Sequence, residues 1–333
     1  MNLSDKKILI TGAGGFIGSH LTEKLAKSYS SVRVLVRYTS DGRLGNIEEF
    51  PEEIRKRIEI FRGDLKNPDS IRRAVRGVDV VFHLGASISI PYSYQDPRDF
   101  VETNVGGTLN ILEASREFGV SKLIVTSTSE VYGTAEYEPI DENHPLQPQS
   151  PYAASKVGAD KITESFYKSF DLPATIIRPF NTYGPRQSMR AVIPTIIVQA
   201  LTGNKIKLGS LTPKRDFTYV EDTVQGYVQI AESDNSTGEI INLGFGKTFS
   251  IGDVVRTVGR LLNKDLESIV ETDEERIRPE KSEVMLLLCD NKKAKRLLGW
   301  EPKINFEEGL ERTIRYIKKY LDKYSKRSET YSR

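Results

Sequence analysis

The sequence predicts an α/β protein: a doubly wound parallel sheet with a smaller C-terminal lobe. Three features predict it. Short apolar runs alternate with stretches of helical period as far as Arg178, a glycine-rich turn comes directly after the first apolar run, and beyond Arg178 proline and glycine cut the chain into short elements. Strand–helix alternation of this kind means right-handed βαβ units and a parallel sheet covered on both faces.

Taken in order, the strand candidates are Lys7–Thr11, Val32–Val36, Ile58–Phe61, Val78–Leu84, Lys122–Ser127 and Ala174–Arg178. Helical spacing of apolar residues marks Ile17–Lys27, Ser70–Val75, Phe100–Phe118 and Tyr152–Phe170 between them. The first domain is therefore expected over 1–178. Pro179, Gly184-Pro185, Pro194, Gly203, Gly209 and Pro213 punctuate the chain beyond it. The lobe is expected over 179–216 and 246–325, above the C-terminal edge of the sheet, where ligands bind in such folds. Within 217–245, Phe217–Val220 and Glu239–Leu243 are expected to return to the main sheet. Residues 326–333 read as a frayed tail.

Composition narrows the classes. The chain has 333 residues, 38% hydrophobic and 28% charged, as expected for a globular protein. A net charge of +2 gives no overall field for nucleic acid or an anionic membrane. No run approaches the roughly eighteen apolar residues of a membrane span. The start, Asp5-Lys6-Lys7 leading into an apolar run broken by glycines, is unlike a secretory signal. Cys289 is the single cysteine and lies in an apolar run, which suits a reducing cytoplasm. His20, His83 and His144 have no thiol or carboxylate at ligand spacing, so no metal is expected.

The first strand ends in Thr11-Gly12-Ala13-Gly14-Gly15-Phe16-Ile17-Gly18. Gly12, Gly15 and Gly18 permit a tight turn and close approach of a pyrophosphate, and Phe16 and Ile17 open a helix whose N-terminus favours anions. This is the place where Rossmann sheets hold a dinucleotide. Asp64, in Gly63-Asp64-Leu65 after the third strand, is placed to accept from an adenine amino group. At the end of the second strand an NAD site wants an acid for the ribose hydroxyl; this chain has Arg37, suited to a 2′-phosphate, which tips the reading toward NADP over NAD.

Of fifteen tyrosines, only Tyr152 is followed four residues later by lysine, Lys156. On a helix both side chains share one face. An ammonium beside a phenol lowers its pKa, making Tyr152 a usable acid/base. Ser127-Thr128-Ser129-Glu130 ends the strand just upstream, where side chains project over a bound nicotinamide.

These motifs, with Arg178-Pro179-Phe180-Asn181-x-Tyr183-Gly184-Pro185, Lys214-Arg215-Asp216-Phe217-x-Tyr219-Val220-x-Asp222 and Leu298-Gly299-Trp300-x-Pro302, resemble the extended short-chain dehydrogenase/reductases that modify nucleotide sugars. The resemblance runs to about Lys319. Glu130 resembles the 4,6-dehydratases and glucuronate decarboxylases, where 4-epimerases usually carry small or hydroxyl residues. Ile88-Ser89-Ile90-Pro91-Tyr92-Ser93-Tyr94 is similar to the N-acetylhexosamine-nucleotide dehydratases of bacillosamine and legionaminic-acid biosynthesis. Arg278-Pro279-x-x-x-Glu283-Val284 is similar to these and to GDP-mannose 4,6-dehydratases. Ser129 departs from many dTDP-glucose dehydratases, which carry an aspartate there.

The resemblance implies a 4,6-dehydratase acting on UDP-N-acetylglucosamine or a related nucleotide hexose, part of cell-surface polysaccharide synthesis. The cofactor, NADP or NAD, would stay tightly bound while hydride leaves C4 and returns at C6. Tyr152 would take the C4 hydroxyl proton, Thr128 would hydrogen-bond that oxygen, Glu130 would take the C5 proton, and Lys156 would tune Tyr152. Arg215 and Arg278, with Asn181 and Ser129, would bind substrate, while Asn104 would shape the active-site helix. A UDP-glucuronate decarboxylase is the first alternative, although no dedicated arginine for its carboxylate stands near the catalytic strands in sequence. A UDP-sugar 4-epimerase is the second. The helices Phe100–Phe118 and Tyr152–Phe170 carry surplus apolar residues, Val101, Leu109, Leu112, Ile162 and Phe166, which suggests a homodimer through a four-helix bundle.

Overall fold

The computed structural model describes residues 1–29 and 31–328, with 326–328 described by backbone alone. Seven strands, β1 (Ile8–Thr11), β2 (Val32–Val36), β3 (Ile58–Arg62), β4 (Val80–His83), β5 (Lys122–Thr126), β6 (Ala174–Pro179) and β7 (Ile240–Leu243), form the main sheet. Their order is β7-β6-β5-β4-β1-β2-β3, with every neighbouring pair parallel. The chain reverses its direction of travel between β1 and β4. That switch opens a crevice at the C-terminal strand ends, the usual ligand site of such a sheet.

Alternation along each strand feeds two cores. From β1, Ile8 and Ile10 pack with Leu21 and Leu25 of α1 (Phe16–Ser28), on the face also covered by the helix Val220–Glu232. Leu9 points the other way, toward Ile71 of α2 (Pro68–Val75), Leu112 of α3 (Gly107–Glu117) and Phe166 of α4 (Pro151–Phe170). Burial on both faces is why β1 and β4 read as apolar runs up to their last residue, and why even Arg33 of β2 is buried. Helix α4, which carries the Tyr152–Lys156 pair, starts where the Ser150 hydroxyl accepts from Ala153 N–H at 3.1 Å and Pro151 fills the first helical position. It stops at Asp171 in the left-handed conformation.

The single helix expected over Phe100–Phe118 is three pieces: Pro97–Phe100, a π-helical turn Val101–Gly106, and α3. The wide turn carries Asn104, whose amide grips Ser87 at both backbone groups, accepting from its N–H at 2.8 Å and donating to its carbonyl at 2.9 Å. It also donates to Ser155 Oγ at 2.9 Å. Tertiary hydrogen bonding by one side chain overrides the regular period there.

In the lobe, a four-stranded sheet joins Thr248–Ser250, Lys214–Tyr219, Leu286–Leu287 and Asn181–Tyr183, and Phe249 stacks on Phe306 at 4.0 Å between ring centroids. Of the two segments expected to return to the main sheet, only Ile240–Leu243 does so. Phe217 to Tyr219 pair with Asn181 to Tyr183 instead, and Val220 opens a helix. The place beside β6 is already taken, since Ile240 lies opposite Ile176. A final helix, Leu321–Ser328, occupies part of the expected tail, and 329–333 lie outside the described residues. Among the apolar residues expected to be surplus on the dimer helices, Leu112 and Phe166 are buried within the chain, Leu109 and Ile162 are half-buried, and Val101 is exposed. Among the described residues no helix is long and apolar enough to cross a membrane, and no three His, Cys, Asp or Glu side chains cluster as metal ligands do.

Candidate active site

The first βα turn and the start of its helix admit no side chain at Gly12, Gly14 or Gly18. Gly12 has φ +69°, and a Cβ there would stand 2.7 Å from Gly85 N. A Cβ at Gly18 would stand 2.2 Å from Gly12 O, and one at Gly14 would stand 2.6 Å from Leu44 O. Gly15 is the N-cap of α1, so no side chain satisfies the first-turn amides of Phe16, Ile17 and Gly18. Close backbone approach and uncapped amides at the positive end of a helix dipole fit the pyrophosphate of a dinucleotide. Beside the turn, Thr11 Oγ1 and His83 Nδ1 lie 2.8 Å apart, and Thr11 Oγ1 also accepts from Gly85 N–H. His83 Nε2 lies 3.1 Å from Thr108 Oγ1, which donates to Asn104 O. The chain runs one way, with Thr11 donating to Nδ1 and Nε2–H donating to Thr108. Burial, with the Lys156 charge adding, holds the imidazole down at about 3, so His83 stays neutral and links the glycine turn to α3.

The other predicted cofactor residues stand at neighbouring strand ends. Arg37 follows β2 and is exposed. Asp64 follows β3, where Oδ1 accepts from Lys66 N–H at 2.9 Å, while Asn67 rather than Asp64 caps α2. Leu65 packs between two glycines, its side chain 2.8 Å from where a Cβ on Gly85 would sit and 3.0 Å from one on Gly107.

The catalytic candidates meet at the end of β5. Thr128 caps the short turn Ser129–Tyr132, its hydroxyl accepting from Glu130 N–H at 3.2 Å, and it hydrogen-bonds the Tyr152 phenol. Ser129 is buried in that turn. Tyr152 is itself buried, edge-on to Phe100 with ring centroids 6.2 Å apart. Lys156 donates to Thr126 O at 2.5 Å. Burial pushes the phenol up to about 12; the Thr128 hydrogen bond opposes this, and the Glu130 and Asp160 charges add to it. The expectation that Lys156 would bring the phenol down is not met in the chain alone: loss of hydration is the largest effect on Tyr152, which holds its proton. Lys156 is brought down by burial to about 8, against the pull of Asp160.

From the lobe, Arg278 Nη1 lies 3.9 Å from Glu130 Oε2 and 3.9 Å from Glu283 Oε1. Arg215 Nη2 donates to the same Glu283 oxygen at 3.2 Å. Two guanidiniums and two carboxylates thus face one another next to Tyr152. Arg215 is nearly buried, and Asp216 beside it accepts from the amides of Phe245, Gly246 and Cys289 at 2.6, 2.8 and 3.2 Å. Asn181 Oδ1 is buried with no protein partner, an acceptor left for a ligand or water.

The sequence profile of the GDP-mannose 4,6-dehydratase family matches residues 9–313. The chain belongs to that family. It is 35% identical over 329 residues to UDP-glucuronic acid decarboxylase 1 of Xenopus tropicalis, covering 95% of this chain and 73% of that one. A dTDP-glucose 4,6-dehydratase from Streptomyces venezuelae, solved with NAD bound, superposes with a TM-score of 0.86 at 30% identity, covering 96% and 99%. A UDP-glucuronic acid 4-epimerase variant from Bacillus cereus, in complex with a fluorinated UDP-glucuronic acid and NAD, gives 0.86 at 31%, covering 94% and 99%. Dehydratases, epimerases and decarboxylases are thus similarly near.

For a member of this family, the structure adds three residues to those singled out in sequence. Glu283 was visible in the Arg278 motif but had no partner until the strand bearing Arg215 was placed. Gly85, a lone glycine after β4, gives no sequence signal. Asp160, one helical turn beyond Lys156, was readable only by extending the Tyr152–Lys156 spacing.

Proposed function

We propose that the chain is a nucleotide-sugar 4,6-dehydratase, acting on UDP-N-acetylglucosamine or a related nucleotide hexose. The observation that carries this is the Glu130 carboxylate, 12% exposed and near enough to Tyr152 to raise its hold on a proton. A bound nicotinamide dinucleotide, held by Gly12, Gly15, Phe16, Ile17, Gly18, Asp64 and Leu65, supplies reversible hydride exchange. The chain's own residues do the rest. Tyr152 Oη, which would ionise only once the positive charge of an oxidised nicotinamide is added to that of Lys156, takes the proton of the C4 hydroxyl while Thr128 Oγ1 orients that oxygen. Glu130 takes the C5 proton once a C4 ketone makes it acidic and passes it to the C6 hydroxyl, which leaves as water; a hydride gained at C6, matching the one lost from C4, and a proton returned to C5 complete the product. The net change is loss of one water to a 4-keto-6-deoxy sugar. Arg215 and Arg278 suit the substrate diphosphate, with Asn181 and Ser129 beside it.

A second reading has an observation of its own. Arg278, which the sequence assigned to substrate binding rather than to a sugar carboxylate, sits 3.9 Å from Glu130, so a cation is at hand for the carboxylate of a UDP-glucuronate. A panel of nucleotide sugars incubated in heavy water separates the readings: loss of water with deuterium at C5 is expected, and loss of carbon dioxide or bare inversion at C4 would remove the dehydratase. Arg37 favours NADP, whereas the solved dehydratase and epimerase hold NAD. A second copy of the chain is the proposed partner, through the helices that carry exposed Val101 and half-buried Leu109 and Ile162.

A further inference from the structure

Behind the reactive face of α4 lies a charged group that this chemistry does not use. Asp160, one turn beyond Lys156 and two beyond Tyr152, is fully buried. Its Oδ2 accepts from Arg178 twice, from Nε at 3.1 Å and Nη2 at 2.9 Å. Arg178, on β6 and 1% exposed, also donates from Nη1 to the Tyr132 hydroxyl at 2.9 Å. That hydroxyl donates in turn to Asn242 Oδ1 on β7 at 2.7 Å. The Ser127 hydroxyl approaches Asp160 from the end of β5. The carboxylate, carried by α4, is therefore fixed from β6 through Oδ2, where it answers the buried Arg178 guanidinium, while Oδ1 finds no hydrogen-bond partner among the described residues.

The arrangement holds two cations, Lys156 and Arg178, for one anion. Burial strips both cations of hydration, and the lysine is the one able to shed its charge. Its other titratable neighbours offer no help. His83 on β4 is held neutral, Tyr152 on the same helix keeps its proton, and Tyr227, whose hydroxyl donates to Thr126 Oγ1 at 2.9 Å, is a buried phenol. Glu130 acts on Tyr152 and, across the cleft, on Arg215 and Arg278. Among the described residues, Asp160 is the neighbour that strengthens the lysine's hold on its proton.

We propose that Asp160 is a positioning residue that keeps Lys156 an ammonium over the working pH range, with Arg178 fixing the carboxylate that does so. The proposal rests on reading Tyr152 and Lys156 as the acid/base pair, and one of its two measurements needs no substrate. In cofactor-free protein labelled at the lysine ε-carbon, the Lys156 resonance is assigned as the one missing from Lys156→Met and followed with pH. Asp160→Asn should lower its titration midpoint by about one pH unit, the effect of removing an opposite charge one helical turn away in a site without water. Asp160→Glu should restore it. The alkaline limb of the turnover profile should move down with the titration in Asp160→Asn and return in Asp160→Glu, a shift that a purely structural ion pair would not give. Should Asp160→Asn fail to fold around an unpaired Arg178, Asp160→Asn with Arg178→Met is compared with Arg178→Met alone, so that the carboxylate is the one charge that differs. An unmoved Lys156 midpoint in whichever variant folds overturns the proposal. A moved midpoint with no turnover on any nucleotide sugar leaves the positioning role standing and overturns the functional reading instead.

Discussion

Lys156→Met should make the cofactor-free chain more stable near neutral pH while removing its activity. The native lysine releases its proton near pH 8, whereas in the unfolded chain it does so near 10.5. Below pH 8 both states carry the charge, and the native state bears the full cost of holding it without water. At about 1.4 kcal/mol per pH unit, that cost is roughly 3 kcal/mol. Between the two values the unfolded chain binds more protons than the native one, so stability due to this group rises with pH and the cost fades. Methionine keeps the apolar stem and removes the charge, at the expense of leaving Thr126 O without its donor, about 1–3 kcal/mol. The net gain at neutral pH is therefore small, but its pH dependence is distinctive. The variant's advantage over wild type should shrink by roughly 2 kcal/mol between pH 7 and pH 9.5. Urea unfolding of both proteins, stripped of cofactor and at one protein concentration, measures it. A difference that stays constant over that interval would show that Lys156 is not a depressed buried amine, and the electrostatic account of the site would fall with it.

Tyr152→Phe should lose on the order of a hundredfold to ten-thousandfold in turnover while dinucleotide binding survives, as measured by initial rates and cofactor titration. Glu130→Gln should accumulate reduced nicotinamide, seen as new near-ultraviolet absorbance, because oxidation at C4 proceeds and the amide cannot take the C5 proton; product at the wild-type rate would exclude Glu130 as the base. Mass analysis of cofactor released from purified protein should show NADP if Arg37 meets a 2′-phosphate, and NAD alone would assign Arg37 another task.

Much of the main sheet was legible because its strands are buried on both faces and so read as apolar runs, as in Ile8 to Ile10 and Val80 to Phe82. The glycine turn was legible because Gly12 and Gly18 are sterically required. The features that escaped depended on contacts between distant segments. The π-helical turn at Val101–Gly106 arises from Asn104 reaching Ser87 and Ser155, which no local pattern encodes. Phe217–Val220 has the composition of a main-sheet strand, but its place depends on which segment takes the position beside β6. The phenol's upward displacement escaped for a related reason: spacing shows that Lys156 is near, while only packing shows how little water is left.

The charge balance of the cleft bears on the choice between a neutral sugar and a uronic acid. Arg215 and Arg278 are already countered by Glu283 and, for Arg278, by Glu130. A nucleotide sugar brings a diphosphate, which can engage both guanidiniums only by competing with Glu283. A glucuronate would add one further carboxylate beside Glu130, and like charges at close range disfavour one another unless one is protonated. Arg278 would then have to serve the diphosphate, Glu130 and the sugar carboxylate together. A sugar with a neutral C6 hydroxyl makes no such demand. The two-against-two arrangement therefore suits water elimination better than decarboxylation. Replacing Glu283 by glutamine tests this through substrate choice: removing one competing negative charge should improve the relative use of a uronic-acid nucleotide, measured as the ratio of kcat/KM for the two substrates. A ratio that does not change would mean that the arginines, rather than the balance of charge around them, decide which sugar is accepted.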